Sequence, residues 1–230
     1  MRNRITTFVA VVLLVSCTKT ATGQHPTPAD ISNALPTITE MPGKWNETQR
    51  QVFQKRANEN PSLDPSVWCT EASQVTAELP SLAGGSGADV EMQSDDSNDG
   101  ARMMRLQAWS NDDVAAYFTN AAEAARICDG KSGVDADGVG RSWSLVENRD
   151  IGDESVSWVD RTVPPAATQG DKFESIGRTT IARFGGILMV MQIGDANWTG
   201  TTNQLAEDDW WAVVELAGRK LAILDAQVHD

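Results

Sequence analysis

Two strand-like runs, residues 173–184 and 187–193, meet at Gly185-Gly186. A glycine pair between two such runs predicts a two-residue hairpin, because both positions can take positive φ. The second run is almost continuously apolar, as expected of a strand at the centre of a sheet. An antiparallel sheet built around this hairpin is the frame into which the other segments have to fit.

Other strands are legible by alternation. Trp143 and Leu145 alternate with polar residues, as do Val156 and Trp158 after the turn Ile151-Gly152-Asp153. Val90 and Met92, then Met104, Leu106 and Ala108, flank the turn-forming stretch SDDSNDG at 94–100; this predicts a hairpin with an acidic tip. Helical spacing is found elsewhere. Residues 45–58 read as a polar helix carrying Trp45, Val52 and Phe53. Asp64-Pro65 opens a helix with Trp68, Ala72, Val75, Leu79 and Leu82 on one stripe,. Ser110 and Asp113 suggest a capped start for a third helix. Its face comprises Val114, Tyr117, Phe118, Ala121, Ala125 and Cys128, and Asp129-Gly130 ends it,.

The last helix has Thr201 and Gln204 as a capping box, Glu207, Asp208 and Asp209 in its first turns and Arg219 and Lys220 at its end,. Ala206, Trp210, Val213, Ala217, Leu221 and Leu224 form its core stripe. Short turns between strands enforce antiparallel pairing. The expectation is an α+β fold, a single antiparallel sheet of about six strands packed by helices on one face. With 230 residues, 40% of them hydrophobic, the chain can bury a core as one domain, placed at residues 41–230.

The front of the chain reads as an address. Arg2 and Arg4 precede a short apolar run, 5–15, that ends in Leu14-Val15-Ser16-Cys17. This is the pattern of an export signal, too short to span a bilayer, and its last four residues resemble a bacterial lipobox. Residues 1–16 are therefore expected to be a lipoprotein signal peptide and Cys17 the lipidated first residue of the mature chain. The protein would then be held on the extracytoplasmic face of the cell membrane, each acyl methylene contributing about 0.8 kcal/mol. Residues 17–40, rich in Thr, Ala and Pro, read as a flexible tether. In an exported chain Cys69 and Cys128 are most simply one disulfide, closing a loop of roughly 60 residues.

Chemistry is sparse. His25 falls in the tether and His229 is the penultimate residue, which argues against Ser-His-Asp or Cys-His catalysis and against zinc. Gly84-Gly85-Ser86-Gly87 lacks the lysine of a phosphate loop, and Asp135-Ala136-Asp137-Gly138 lacks the closing glutamate of a calcium loop. Neither a metal nor a cofactor is expected. A net charge of −13 disfavours nucleic acid and anionic membrane surfaces as partners. The densest carboxylates away from the hairpin tip, Asp153-Glu154 and Glu207-Asp208-Asp209, sit at a turn and a helix start, where acids are ordinary.

Eight tryptophans accompany one tyrosine. Trp68, Trp143, Trp158 and Trp210 lie on apolar faces, whereas Trp109, Trp198 and Trp211 are candidates for exposure. A sheet covered on one side leaves its other face to solvent, and an apolar patch there marks a binding site. Leu188, Met189, Val190 and Met191, with Trp109, are the ligand-binding residues this expects, one of the two β-faces being open.

The order of elements, with Cys128 closing a helix, Gly152-Asp153-Glu154-Ser155-Val156 opening a strand and the apolar hairpin over 181–193, resembles the extracellular sensor-type domain of mycobacterial serine/threonine kinases and related actinobacterial lipoproteins. The likeness spans roughly residues 60–225. It implies a lipid-anchored α+β domain with a curved sheet and a cleft, which binds a small molecule or envelope component and has no enzymatic activity. Family members often carry two disulfides; here there is one pair, and no functional residue transfers. The alternative from the residues is a small carboxylate-dependent hydrolase of envelope polysaccharide.

Overall fold

The computed structural model describes residues 25–54, 69, 82, 85–94, 102–134, 137–147, 149–163, 165, 174–197 and 207–229. The expected signal peptide, Cys17, the helix expected after Asp64, the expected acidic hairpin tip, Trp198 and the expected capping box at Thr201 lie outside the described residues.

The described elements are α1 (Pro28–Ala34), β1 (Trp45–Gln54), β2 (Ser86–Ser94), β3 (Arg102–Ser110), α2 (Val114–Cys128), β4 (Ser132–Val134), β5 (Gly140–Leu145), β6 (Glu154–Val163), β7 (Glu174–Phe184), β8 (Ile187–Asn197) and α3 (Glu207–His229). The strands form one antiparallel sheet in the order β1-β2-β3-β8-β7-β6-β5-β4. Two meanders, β1 to β3 and β4 to β8, are thus zipped together where β3 pairs with β8. The chain turns from β7 into β8 at Gly185, whose φ of +52° favours glycine,.

β8 explains its own composition. Ile187, Met189, Met191 and Ile193 join the core formed with α1 and α3, while Leu188 and Val190 join the core formed with α2. A strand buried on both faces has no polar side to show. Helices therefore cover both faces of an eight-stranded sheet, which corrects the expected six strands and single covered face. The reason is the route of α2. It carries the chain from β3, inside the sheet, to β4 at the far edge, and its stripe of Val114, Tyr117, Phe118, Ala121, Ala125 and Cys128 is buried on the way.

Two strands escape a reading by alternation. β4 has three residues, all exposed, on a sheet edge. β1 replaces the helix expected at 45–58, and its register with β2 shifts between Glu47 and Gln49. That bulge adds one residue, so Trp45 joins the α1/α3 core and Phe53 the α2 core although they are eight positions apart,. Without the bulge both would fall on one face of a strand, and the same spacing also fits two helical turns.

The segment expected to be a tether is folded from residue 25 onward. Thr27 caps α1 in a reciprocal capping box with Asp30, and Pro28 begins the helix,. Ile31 and Leu35 are fully buried. Arg50 donates from Nη1 to Ser32 O (2.9 Å) and from Nη2 to Pro36 O (2.8 Å), and Lys220 pairs with Glu40 at 2.9 Å. Cys69 and Cys128 are joined as a disulfide, their Cα atoms 5.8 Å apart, as expected from the cysteine count.

Candidate functional site

The residues expected to line an open face are core. Leu188, Met189, Val190 and Met191 are each 0% exposed and Trp109 is 1% exposed. Trp211, the other described candidate for exposure, is buried beside Trp210. Each β8 set meets helix side chains on its own face, so neither is open to a ligand there.

The polar counterpart lies on the α2 face of β1, β2 and β3. Val90 and Met92 point to the α1/α3 core, so alternation sends Asp89 and Glu91 to the other side. Asp89 stands opposite Gln51 of β1 and Gln107 of β3, and Glu91 opposite Arg105. Asp89 is fully buried. Its Oδ2 accepts from Arg105 Nη2 (2.6 Å) and Nε (3.2 Å), from Gln51 Nε2 (3.3 Å) and from Gln107 Nε2 (3.4 Å). Arg105 Nε also lies 3.5 Å from Glu91 Oε1. The side chains of Arg105 and Glu91 are 36% and 30% exposed, so this polar cluster is closed off at Asp89 and meets solvent only at Arg105 and Glu91.

Asp89 Oδ1 and Gln107 Oε1 are buried and have no hydrogen-bond partner among the described residues, and the same holds for Trp109 Nε1. Buried polar atoms are ordinarily paired, and in a low-dielectric surrounding an unpaired acceptor is costly. The niche therefore presents two acceptors, one on a carboxylate, to whatever donor reaches it. The sequence signal was available as strand parity, since Asp89 and Gln107 both fall on the polar side of their half-apolar strands.

A second polar cluster sits at the turn pole. His25 shares hydrogen bonds with Ser110 Oγ through Nδ1 (2.9 Å) and with Asp112 Oδ1 through Nε2 (3.0 Å). Three residue types of a hydrolytic triad thus meet, contrary to the expectation that His25 would float in a tether. The arrangement suits attachment better than attack. Ser110 is 2% exposed and out of substrate reach, while the Asp112 side chain is 91% exposed; a catalytic triad needs the reverse. Ser110 is thereby not the cap of α2, whose N-cap Asp113 makes no side-chain capping bond.

The other carboxylates are engaged locally. Glu154 Oε2 accepts from Arg183 Nε at 2.9 Å, and Asp153 Oδ2 accepts from Gly185 N at 2.8 Å. Glu207, Asp208 and Asp209 occupy the exposed first turn of α3. On the α2 face Asp160 folds over Gly177, where a Cβ would strike its carboxylate. Burial pushes the Asp160 carboxyl above the usual carboxylate range, against the pull of its own backbone N–H and of Arg141,. Burial likewise pushes the Tyr117 phenol up. Shallow clefts of ≈ 320 Å³ lie between the Gly152 turn and α3 and between α1 and α3. Among the described residues no group of three His, Cys, Asp or Glu could hold a metal ion, and no helix is long and apolar enough to cross a membrane.

No family model, curated protein or solved structure matches the chain.

Proposed function

We propose that the chain is an extracytoplasmic lipoprotein, anchored through Cys17, whose folded domain binds a small molecule or envelope component and catalyses no reaction. The observation that carries the binding role is the buried Asp89 carboxylate, one oxygen saturated by Arg105, Gln51 and Gln107 and the other without a partner among the described residues. The disulfide supports an oxidising compartment,. The apolar run before Cys17 and the resemblance to kinase sensor-type domains support the anchored, non-catalytic reading. The inaccessible Ser110 removes the one nucleophile that a histidine addresses among the described residues.

The test has two arms. The full chain and its Cys17→Ala variant are expressed in a lipoprotein-processing bacterium and fractionated; the wild type is expected with membranes and the variant in the soluble extracytoplasmic fraction. Purified wild type is then heated with and without envelope extract, against Asp89→Asn. Extract is expected to raise the melting temperature of the wild type alone. Equal membrane association of both chains would overturn the anchor, and no extract-dependent shift would overturn the binding role.

A further inference from the structure

We propose that the niche at Asp89 is a recognition site for a primary ammonium group, the proposal resting on the binding role given above. The two orphan acceptors set the donor requirement. Asp89 Oδ1 and Gln107 Oε1 each need a hydrogen, and Gln107 cannot turn its amide to help, because its Nε2 is already directed at Asp89 Oδ2. A ligand hydroxyl has a single hydrogen and satisfies one of them. An ammonium has three and satisfies both, with one to spare.

Charge selects the same group. Asp89 and Glu91 bring two negative charges against the one positive charge of Arg105. The guanidinium is directed at Asp89 Oδ2 and Glu91 Oε1, so it does not supply the missing hydrogen to Oδ1. A monovalent cation brings this set to neutrality, and burying an ion is tolerable when it is paired and fully hydrogen-bonded. An anion would meet two carboxylates and the Gln107 carbonyl oxygen. The net charge of −13 also raises the local concentration of cations,.

The mature full-length chain is titrated with methylammonium chloride, with tetramethylammonium chloride and with sodium chloride at equal ionic strength, followed by melting temperature and by the amide resonances of Asp89 and Gln107. Tetramethylammonium has the same charge and no N–H. Methylammonium is expected to saturate at roughly millimolar concentration, as suits a ligand of two heavy atoms, to raise the melting temperature above both controls and to move both resonances. Asp89→Asn and Gln107→Met are each expected to weaken it at least tenfold. Should Asp89→Asn fail to fold, Gln107→Met and the comparison of the two ammonium salts decide. Identical responses to both salts, or undiminished affinity in a folded variant, would overturn the proposal and leave the acceptors to water. A protein stabilised by envelope extract but not by methylammonium refutes the ammonium site and leaves the binding role standing; stabilisation by neither overturns both.

Discussion

Arg105 Nη2 donates to Asp89 Oδ2 over 2.6 Å from the neighbouring strand, diagonally across the β2–β3 ladder. The carboxylate is fully buried and the guanidinium partly exposed. Removing the exposed member leaves a buried charge with the amides of Gln51 and Gln107 as its side-chain partners among the described residues. Arg105→Met is therefore expected to destabilise the fold by about 3 kcal/mol. Replacing both members, Asp89→Leu with Arg105→Met, is expected to recover at least half of that loss, since an apolar pair has no charge to desolvate. Denaturant unfolding of the two single variants and the double variant checks this, and additive losses would refute it.

The Cys69–Cys128 bridge joins residues 59 positions apart. In the chain-entropy model a loop of that size contributes about 4 kcal/mol. Reduction, or the double change Cys69→Ser with Cys128→Ser, is expected to lower unfolding stability by about that amount. A non-reducing digest of native protein is expected to give the linked peptides. Free thiols in the native protein would contradict both.

How much of this was legible follows from where the physics is local. The β7–β8 hairpin, α2 and α3 could be read because each announces itself within one element, by a glycine pair or a helical stripe. The disulfide followed from counting cysteines in a chain whose front reads as an export signal. The second covered face could not be read from β8, because a continuously apolar strand is compatible with helices on both sides or with one open side. Trp109 illustrates the consequence: it is buried against Phe53, ring centroids 4.3 Å apart, and Phe53 reaches that face only through the β1 bulge. The niche at Asp89 was missed for a related reason. Its members come from three strands, and only the register sets Gln51, Asp89 and Gln107 in one row. His25 finds Ser110 85 positions away, a contact for which the sequence gives no sign.

Acid should loosen the strap between the N-terminal segment and α3. The Lys220 ammonium, with the Thr37 backbone N–H, pulls the Glu40 carboxyl down to about 2 from an ordinary value of 4.5. A depressed carboxyl stabilises the fold fully above its unfolded value and loses that contribution as pH falls from 4.5 through about 2,. Glu40 is 37% exposed, so solvent screening limits the gain to under about 1 kcal/mol. Lys220→Met is expected to return the Glu40 titration toward 4.5 and to flatten this part of the acid profile. Carboxyl carbon resonances followed by NMR against pH check it, and an unchanged midpoint would refute the pairing.

Val190 and Met191 decide whether the sheet has an open face. They are adjacent on β8, point to opposite sides and are each 0% exposed. If one face were free, an aspartate at one of these positions would reach water and the domain would still fold. With α2 over Val190 and α3 over Met191, either carboxylate is forced into an apolar core with no partner prepared for it. Such burial costs more than most single substitutions do, and a loss of more than 4 kcal/mol is expected at each site. That is a large part of the stability of an ordinary domain, so Val190→Asp and Met191→Asp are both expected to be unfolded or insoluble at 25 °C. Val163→Asp is the matched control, because Val163 ends β6 with half its surface exposed; it is expected to stay within about 0.5 kcal/mol of the wild type. Circular dichroism and denaturant titration of the three variants give the answer. A cooperatively folded Val190→Asp or Met191→Asp of near wild-type stability would show that one helical layer does not close its face of the sheet.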